Sequence, residues 1–185
     1  RIERNEAAGP LVGNFDTMYS SIEEAPIGDG SIAQVHRAVT SGGHHVVLKI
    51  LRPQIEKIVR SDLQVLEAIA SFLNNHGAKL GFDPKEVINT FSEALEYELD
   101  LSHEANSTKM LKLLTEDECA TFPEVFSDLS TRRVLAIEEV HGTELTKWKS
   151  ADYSQEQRDR IVANGACAVV KQTLEVGFFH ADPHP

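Results

Sequence analysis

Near residue 180 the sequence reads His180-Ala181-Asp182-Pro183-His184-Pro185, a carboxylate between two imidazoles. These side chains take up and release protons and ligate metal ions. One reading gives Asp182 the task of orienting the hydroxyl proton of an acceptor in phosphoryl transfer. Another puts His180, Asp182 and His184 on one face of a strand as a metal set for hydrolysis. Pro183 and Pro185 weigh against the second, because proline disrupts strand pairing. A polar tail is the bland option; the apolar run and turn residue Gly177 before the motif count against it.

Two further features could serve a phosphorylated ligand. Ile27-Gly28-Asp29-Gly30-Ser31-Ile32-Ala33-Gln34-Val35 is glycine-rich. Such a loop lets backbone approach a ligand closely and turns N–H groups toward phosphate oxygens, with Val35 over an apolar ring. A dinucleotide-binding loop would open a helix, whereas the residues that follow alternate like a strand. Lys49 lies within the apolar run Val46-Val47-Leu48-Lys49-Ile50-Leu51. A lysine there is costly unless it snorkels or meets an anion. An edge-strand lysine and a plain glycine hairpin are the structural alternatives. Glu96, Glu98, Asp100 and Glu104 form an acidic group that reads by itself as a solvated helix face. Asp100 and Glu104 share a face at four-residue spacing, and periodicity alone does not choose between them as the partner of Lys49.

The elements that must position these residues follow from pattern. Residues 21–25, 32–39 and 46–51 read as strands of an antiparallel meander, with Ser41-Gly42-Gly43 as a turn. Helical spacing runs from Arg52-Pro53 to about residue 75, and Asn74-Asn75-His76-Gly77 is a stop signal. Asp83 is set to cap a second helix. A third is expected over residues 101–115, then strands at 125–127 and 133–140. The last helix, residues 155–176, has apolar residues almost all round and is expected to be buried.

Composition bounds the function. The chain has 185 residues, 41% of them hydrophobic and 25% charged, as in a globular protein with a real core. A net charge of −11 argues against a general nucleic-acid binder and against a polybasic membrane anchor. Cys119 and Cys167 are far apart without CxxC spacing, so neither a disulfide framework nor a zinc ribbon is expected, and unpaired thiols suit an intracellular setting. No apolar run reaches the ~20 residues of a membrane span. Residues 1–10 lack a signal-peptide core, and the absence of Met at position 1 suggests a piece of a longer protein.

Taken together, PIGDGSIAQVHRA (residues 26–38), VVLKILRP (46–53), EYELDLSHEAN (96–106), RVLAIEEVHG (133–142) and GFFHADPHP (177–185) resemble the UbiB (aarF/ADCK) family of atypical kinases. The resemblance implies an α+β, protein-kinase-like fold. Residues 1–20 would be a lead-in, 21–140 an N-lobe with a helical insert, and 141–185 the start of a helical C-lobe. It also implies roles. Ile27, Gly28, Gly30, Ser31 and Val35 would cover the nucleotide. Lys49 would hold its phosphates, with Glu104 as the helix partner. Glu138–Val140 would meet adenine, Glu98 and Asp100 would be the family's ExD pair, and Asp182 the catalytic aspartate. The family's loop is usually alanine-rich, and Gly28 and Gly30 depart from that pattern. The KxGQ segment is not present in the sequence.

The expected cofactors are ATP and Mg2+, the metal ligands falling beyond Pro185. Expected partners are isoprenoid-quinone precursors or lipid, in ubiquinone or related biosynthesis. The setting would be cytoplasmic or membrane-associated in a bacterium, mitochondrial or plastid in a eukaryote. A non-catalytic nucleotide-binding module, a small-molecule phosphotransferase and a metal hydrolase are the rival functions. The catalytic-loop Asn, five positions after the Asp in kinases, is not within the 185 residues. We therefore predict no measurable phosphotransfer by these residues alone; robust Mg-ATP turnover by the purified 185-residue chain would contradict this.

Overall fold

A β-branched strand with alternating burial organises the molecule. The computed structural model describes residues 15–75, 81–115, 117, 119–144, 147–149 and 152–181. A short helix α1 (Phe15–Met18) leads into strands β1 (Tyr19–Ile22), β2 (Gly28–Asp29), β3 (Ala33–Thr40) and β4 (His45–Leu51). Helices α2 (Ile55–Asn75), α3 (Pro84–Glu98) and α4 (Leu101–Thr115) follow, then β5 (Val134–Glu138) and helix α5 (Gln155–Val170). The five strands make one antiparallel sheet in the order β1-β3-β4-β5, with β2 paired to β3.

In β4, Val46, Leu48 and Ile50 point to one face and pack with Tyr19, Ala38, Val134 and Ala136. The opposite face carries Val47, Lys49 and Leu51, because side chains alternate along a strand. There Leu51, Ala33 and Leu135 pack under α2 and α4 through Ile55, Leu101 and Ala105. The β3–β4 turn closes on Gly43, whose φ of 83° is the left-handed conformation glycine adopts without strain. Its N–H donates to the Thr40 carbonyl at 2.9 Å.

Side chains satisfy the free backbone N–H groups at two helix starts, at Asp83 as foreseen. Asp83 accepts from the Lys85 N–H at 2.9 Å, with Pro84 in the first turn. Asn74 donates to Asp83 at 3.0 Å, tying the end of α2 to the start of α3. At α5, Ser154 and Gln157 form a reciprocal capping box.

Four expectations change. The first strand begins at Tyr19 rather than residue 21, because it pairs as far back as Thr40. The loop at 26–31 contains the short strand β2, held by a hairpin bond from Ile27 N–H to the Val35 carbonyl at 2.8 Å. The strand expected at 125–127 reduces to one bridge, Val125 with Ile137, before a 3-10 turn Ser127–Leu129. The last helix is not buried. It passes from α5 into a π-turn, Lys171–Val176, and among the described residues of that stretch only Gln172 is buried. Val162 and Val169 are 68% and 53% exposed, so the described residues leave much of the apolar surface from which burial was inferred uncovered.

Leu48 is fully buried at the centre of the sheet. We predict that Leu48→Ala costs about 2–5 kcal/mol, read as a lowered urea midpoint at unchanged m-value, because the cavity adds to the lost transfer energy.

Candidate nucleotide site

The register of the sheet puts the glycine hairpin and Lys49 on one rung. Gly28 pairs with Val35, Val35 with Lys49, and Lys49 with Leu135. Directly paired residues share a sheet face. Val35 and Lys49 therefore stand side by side on the face opposite the first core cluster, with Val47 and Ile137 one step along. Val35, Val47, Lys49 and Ile137 are all half-buried, an apolar strip with one cation in it.

Lys49 Nζ lies 2.6 Å from Glu104 Oε2. The lysine side chain is 30% exposed and the glutamate 43%, so water still reaches both. A pair this open adds little to stability. Its effect is positional, since it holds the ammonium over the apolar strip with donor capacity to spare. Helix α4 carries Glu104 there because Leu101 and Ala105 anchor the same helix against the sheet.

Asp100 is occupied elsewhere. Its Oδ1 accepts from the Ser102 backbone N–H at 3.0 Å and from the Ser102 hydroxyl, which makes it the cap of α4. Its Oδ2 lies 2.9 Å from Arg132 Nε. Burial pushes the Asp100 carboxyl up, but the two Ser102 bonds and Arg132 outweigh it and hold the group below the ordinary carboxylate range. The choice that periodicity left open thus falls to Glu104. Glu98 is exposed at the end of α3, so Glu98 and Asp100 flank the α3–α4 junction while Glu104 pairs with Lys49.

The hairpin is clamped from β4. Arg52 donates from Nε to the Gly30 carbonyl at 3.0 Å and from Nη2 to Asp29, while Gln34 donates to Asp29 at 3.1 Å. The N–H groups of Ile27 and Gly30 go to Val35 and Ala33 within the hairpin, at 2.8 and 2.9 Å. Two of the loop's N–H groups are thus spent within the hairpin, and Ser31 at its tip is exposed. A Cβ on Gly28 would sit 3.4 Å from that of Val35, an ordinary contact, so Gly28 keeps the hairpin thin without being sterically required.

At the far end of β5, Glu138 accepts from the Glu124 N–H at 3.0 Å and donates its own N–H to the Glu124 carbonyl. Val140 is 66% exposed. Between them Glu139 has a side chain only 9% exposed, which receives a 2.6 Å bond from Arg37. Sequence reasoning passed over Val47 and Ile137, although Val47 stands two residues before Lys49 on the same face. His180 donates its N–H to the buried Gln172 side chain at 3.2 Å. Asp182 and His184 lie outside the described residues. A cavity of about 620 Å³ sits elsewhere, between α2, the end of α3 and Thr131–Arg133, and includes neither Lys49 nor Glu104. The paired charges thus occupy an open sheet face rather than that cavity.

Residues 7–185 match the model of the ABC1 atypical kinase-like domain. The chain belongs to this family. A similar ABC1 protein, ACTIVITY OF BC1 COMPLEX KINASE 1 of Arabidopsis thaliana chloroplasts, is 34% identical over 92% of this chain and 26% of its own length. A probable protein kinase UbiB of Aeromonas hydrophila is 28% identical over 98% of this chain and 34% of its own. The solved structure of Rv3197 with erythromycin, from Mycobacterium tuberculosis, superposes with a TM-score of 0.69 at 27% identity, over 85% of this chain and 39% of that one. This chain therefore spans about a third or less of these two curated relatives. The kinase-like α+β fold inferred from the motifs is the fold observed, and the described residues contain no helix long and apolar enough to cross a membrane.

The Asp100 cap yields a pH test. Its folded pKa lies below the unfolded value of about 3.9, so its stabilisation is present above that value and disappears as pH falls through the folded pKa. Asn retains the cap but not the charge. We predict that Asp100→Asn is less stable than the parent at pH 7 by up to about 1 kcal/mol, Arg132 being 78% exposed. The gap should close as pH falls from 7 through the folded pKa, read by urea titrations across the acid range.

Proposed function

We propose that this chain is the nucleotide-holding part of an ATP-dependent atypical kinase or ATPase. The observation that carries the reading is the 2.6 Å Lys49–Glu104 pair, set on a half-buried apolar strip of the sheet. A carboxylate that fixes a lysine without neutralising all its donors prepares a cation for phosphate oxygens. In this reading Lys49 takes the phosphates. Val35, with Val47 and Ile137, receives the base. The hairpin from Ile27 through Gly28, Gly30 and Ser31 covers the ligand, and Glu138–Val140 borders the adenine edge. Glu98 and Asp100 shape the α3–α4 junction beside the site.

Asp182 is assigned the acceptor's hydroxyl by its place in the motif. Magnesium bound with ATP would neutralise charge developing on the phosphates. Among the described residues no group of three His, Cys, Asp or Glu side chains is placed to hold a metal ion, so none of them is assigned to it. A role in isoprenoid-quinone biosynthesis is proposed from the family resemblance, and family membership supports the kinase-like part of the reading.

The test is nucleotide binding by the whole protein. Lys49→Ala should weaken Mg-ATP affinity at least ~10-fold by calorimetry, the size of one charge-assisted contact. Glu104→Gln should weaken it less, since the lysine remains. Unchanged affinity and turnover in Lys49→Ala would reject the role given to Lys49. Tight binding without phosphate release in single-turnover assays of the parent would favour a regulatory module over an enzyme.

A further inference from the structure

Cys119 and Cys167 are far apart in sequence, yet Cys119 Sγ lies 2.8 Å from Cys167 Sγ. Both are free thiols, Cys119 half-buried and Cys167 exposed. A disulfide needs ~2.05 Å between sulfurs, so a small adjustment separates this contact from a bond. We propose that these two cysteines form a reversible disulfide that staples the turn after α4 to helix α5.

The approach of the thiols is imposed by their neighbours. Asp117 Oδ1 accepts from the N–H groups of Cys119 at 2.7 Å and Ala120 at 3.3 Å, which fixes the turn. Its Oδ2 lies 2.6 Å from Lys171 Nζ. Lys171 stands four residues after Cys167, on the same side of the helix. One aspartate therefore shapes the segment bearing one thiol and docks it on the helix bearing the other. The Asp117 and Lys171 side chains are only 29% and 27% exposed, so this docking is better shielded than the Lys49 pair.

The reaction is thiol–disulfide exchange with a small-molecule disulfide RSSR. Exposed Cys167 loses its proton, and its thiolate attacks one sulfur of RSSR. The RS–SR bond breaks and RS⁻ leaves, to be protonated. Cys119 then loses its proton and attacks Cys167 Sγ, expelling the second RS⁻. The two protein thiols give up two electrons and two protons, and RSSR becomes two RSH. Excess thiol reverses the steps. The order follows from environment. The Cys119 thiol is pushed up to about 11, first by its bond to Cys167, then by burial and the Asp117 charge. Few Cys119 thiolates exist at neutral pH, so Cys167 attacks first. Capping Cys167 removes the largest of those causes and frees Cys119 to resolve the intermediate.

The staple would join the helix that carries Glu104 to the helix that leads to His180. Any effect on ATP rests on the proposed function; the cross-link does not, and its test needs no nucleotide. The whole protein is incubated with glutathione disulfide, quenched with an alkylating agent and mapped by mass spectrometry. The expected product is an intramolecular Cys119–Cys167 peptide that disappears on reduction, with Tm higher by about 5–10 °C in the oxidised form. Cys119→Ser should stop at glutathione attached to Cys167, and Cys167→Ser should give no cross-link. Wild-type protein that holds glutathione on Cys167 beside a free Cys119, forms dimers through Cys167, or keeps both thiols under oxidation would overturn the proposal.

Discussion

Strand β4 has to satisfy two faces at once, and most of the structure follows from that constraint. Val46, Leu48 and Ile50 are drawn into the core beneath the sheet. With a period of two, Lys49 must then emerge on the other side. That side is not free either, since Leu51 anchors α2 and α4 there. A charge at this position therefore meets helix α4 at close range, where Glu104 fixes its position while water still reaches both groups. The cross-strand register adds Val35 to the same rung. One alternation thus brings a hairpin, a lysine and a helix glutamate together from three separate stretches of chain.

Much of this was legible in the sequence where local signals act locally. Asp83-Pro84 marked a helix start because capping and proline geometry need no distant partner. The β-branched run around Lys49 marked a strand for the same reason. Glu104 was reachable through the family resemblance but not through periodicity, because Asp100 lies on the same helix face. What separates them is a hydroxyl two residues on and an arginine from another segment. Ser102 and Arg132 engage Asp100 and leave Glu104 for the lysine.

The misreadings share a cause. Apolar pattern reports what a residue would gain by burial, not whether a neighbour exists to bury it. Ile58 and Ile69 fit the helical stripe of α2, yet are 54% and 51% exposed, while Leu63 is buried. Helix α5 is the stronger case, because its apolar residues nearly encircle it. Long-range pairings such as Arg37 with Glu139 and Cys119 with Cys167 leave no local mark. Each depends on two segments whose meeting is set by the fold.

The sheet order also bears on how the chain reaches its fold during synthesis. Strand β5 pairs with β4, but residues 52–133, including three helices, emerge from the ribosome between them. The hairpins and helices can close early because their contacts are local. Until β5 arrives, the backbone of Val46–Ile50 presents an unpaired, hydrophobic strand edge, the kind that recruits other chains. The window of exposure lasts as long as the helical insert takes to be made. Length added to that insert would lengthen the interval in which the nascent protein can aggregate, even where the finished fold accommodates it.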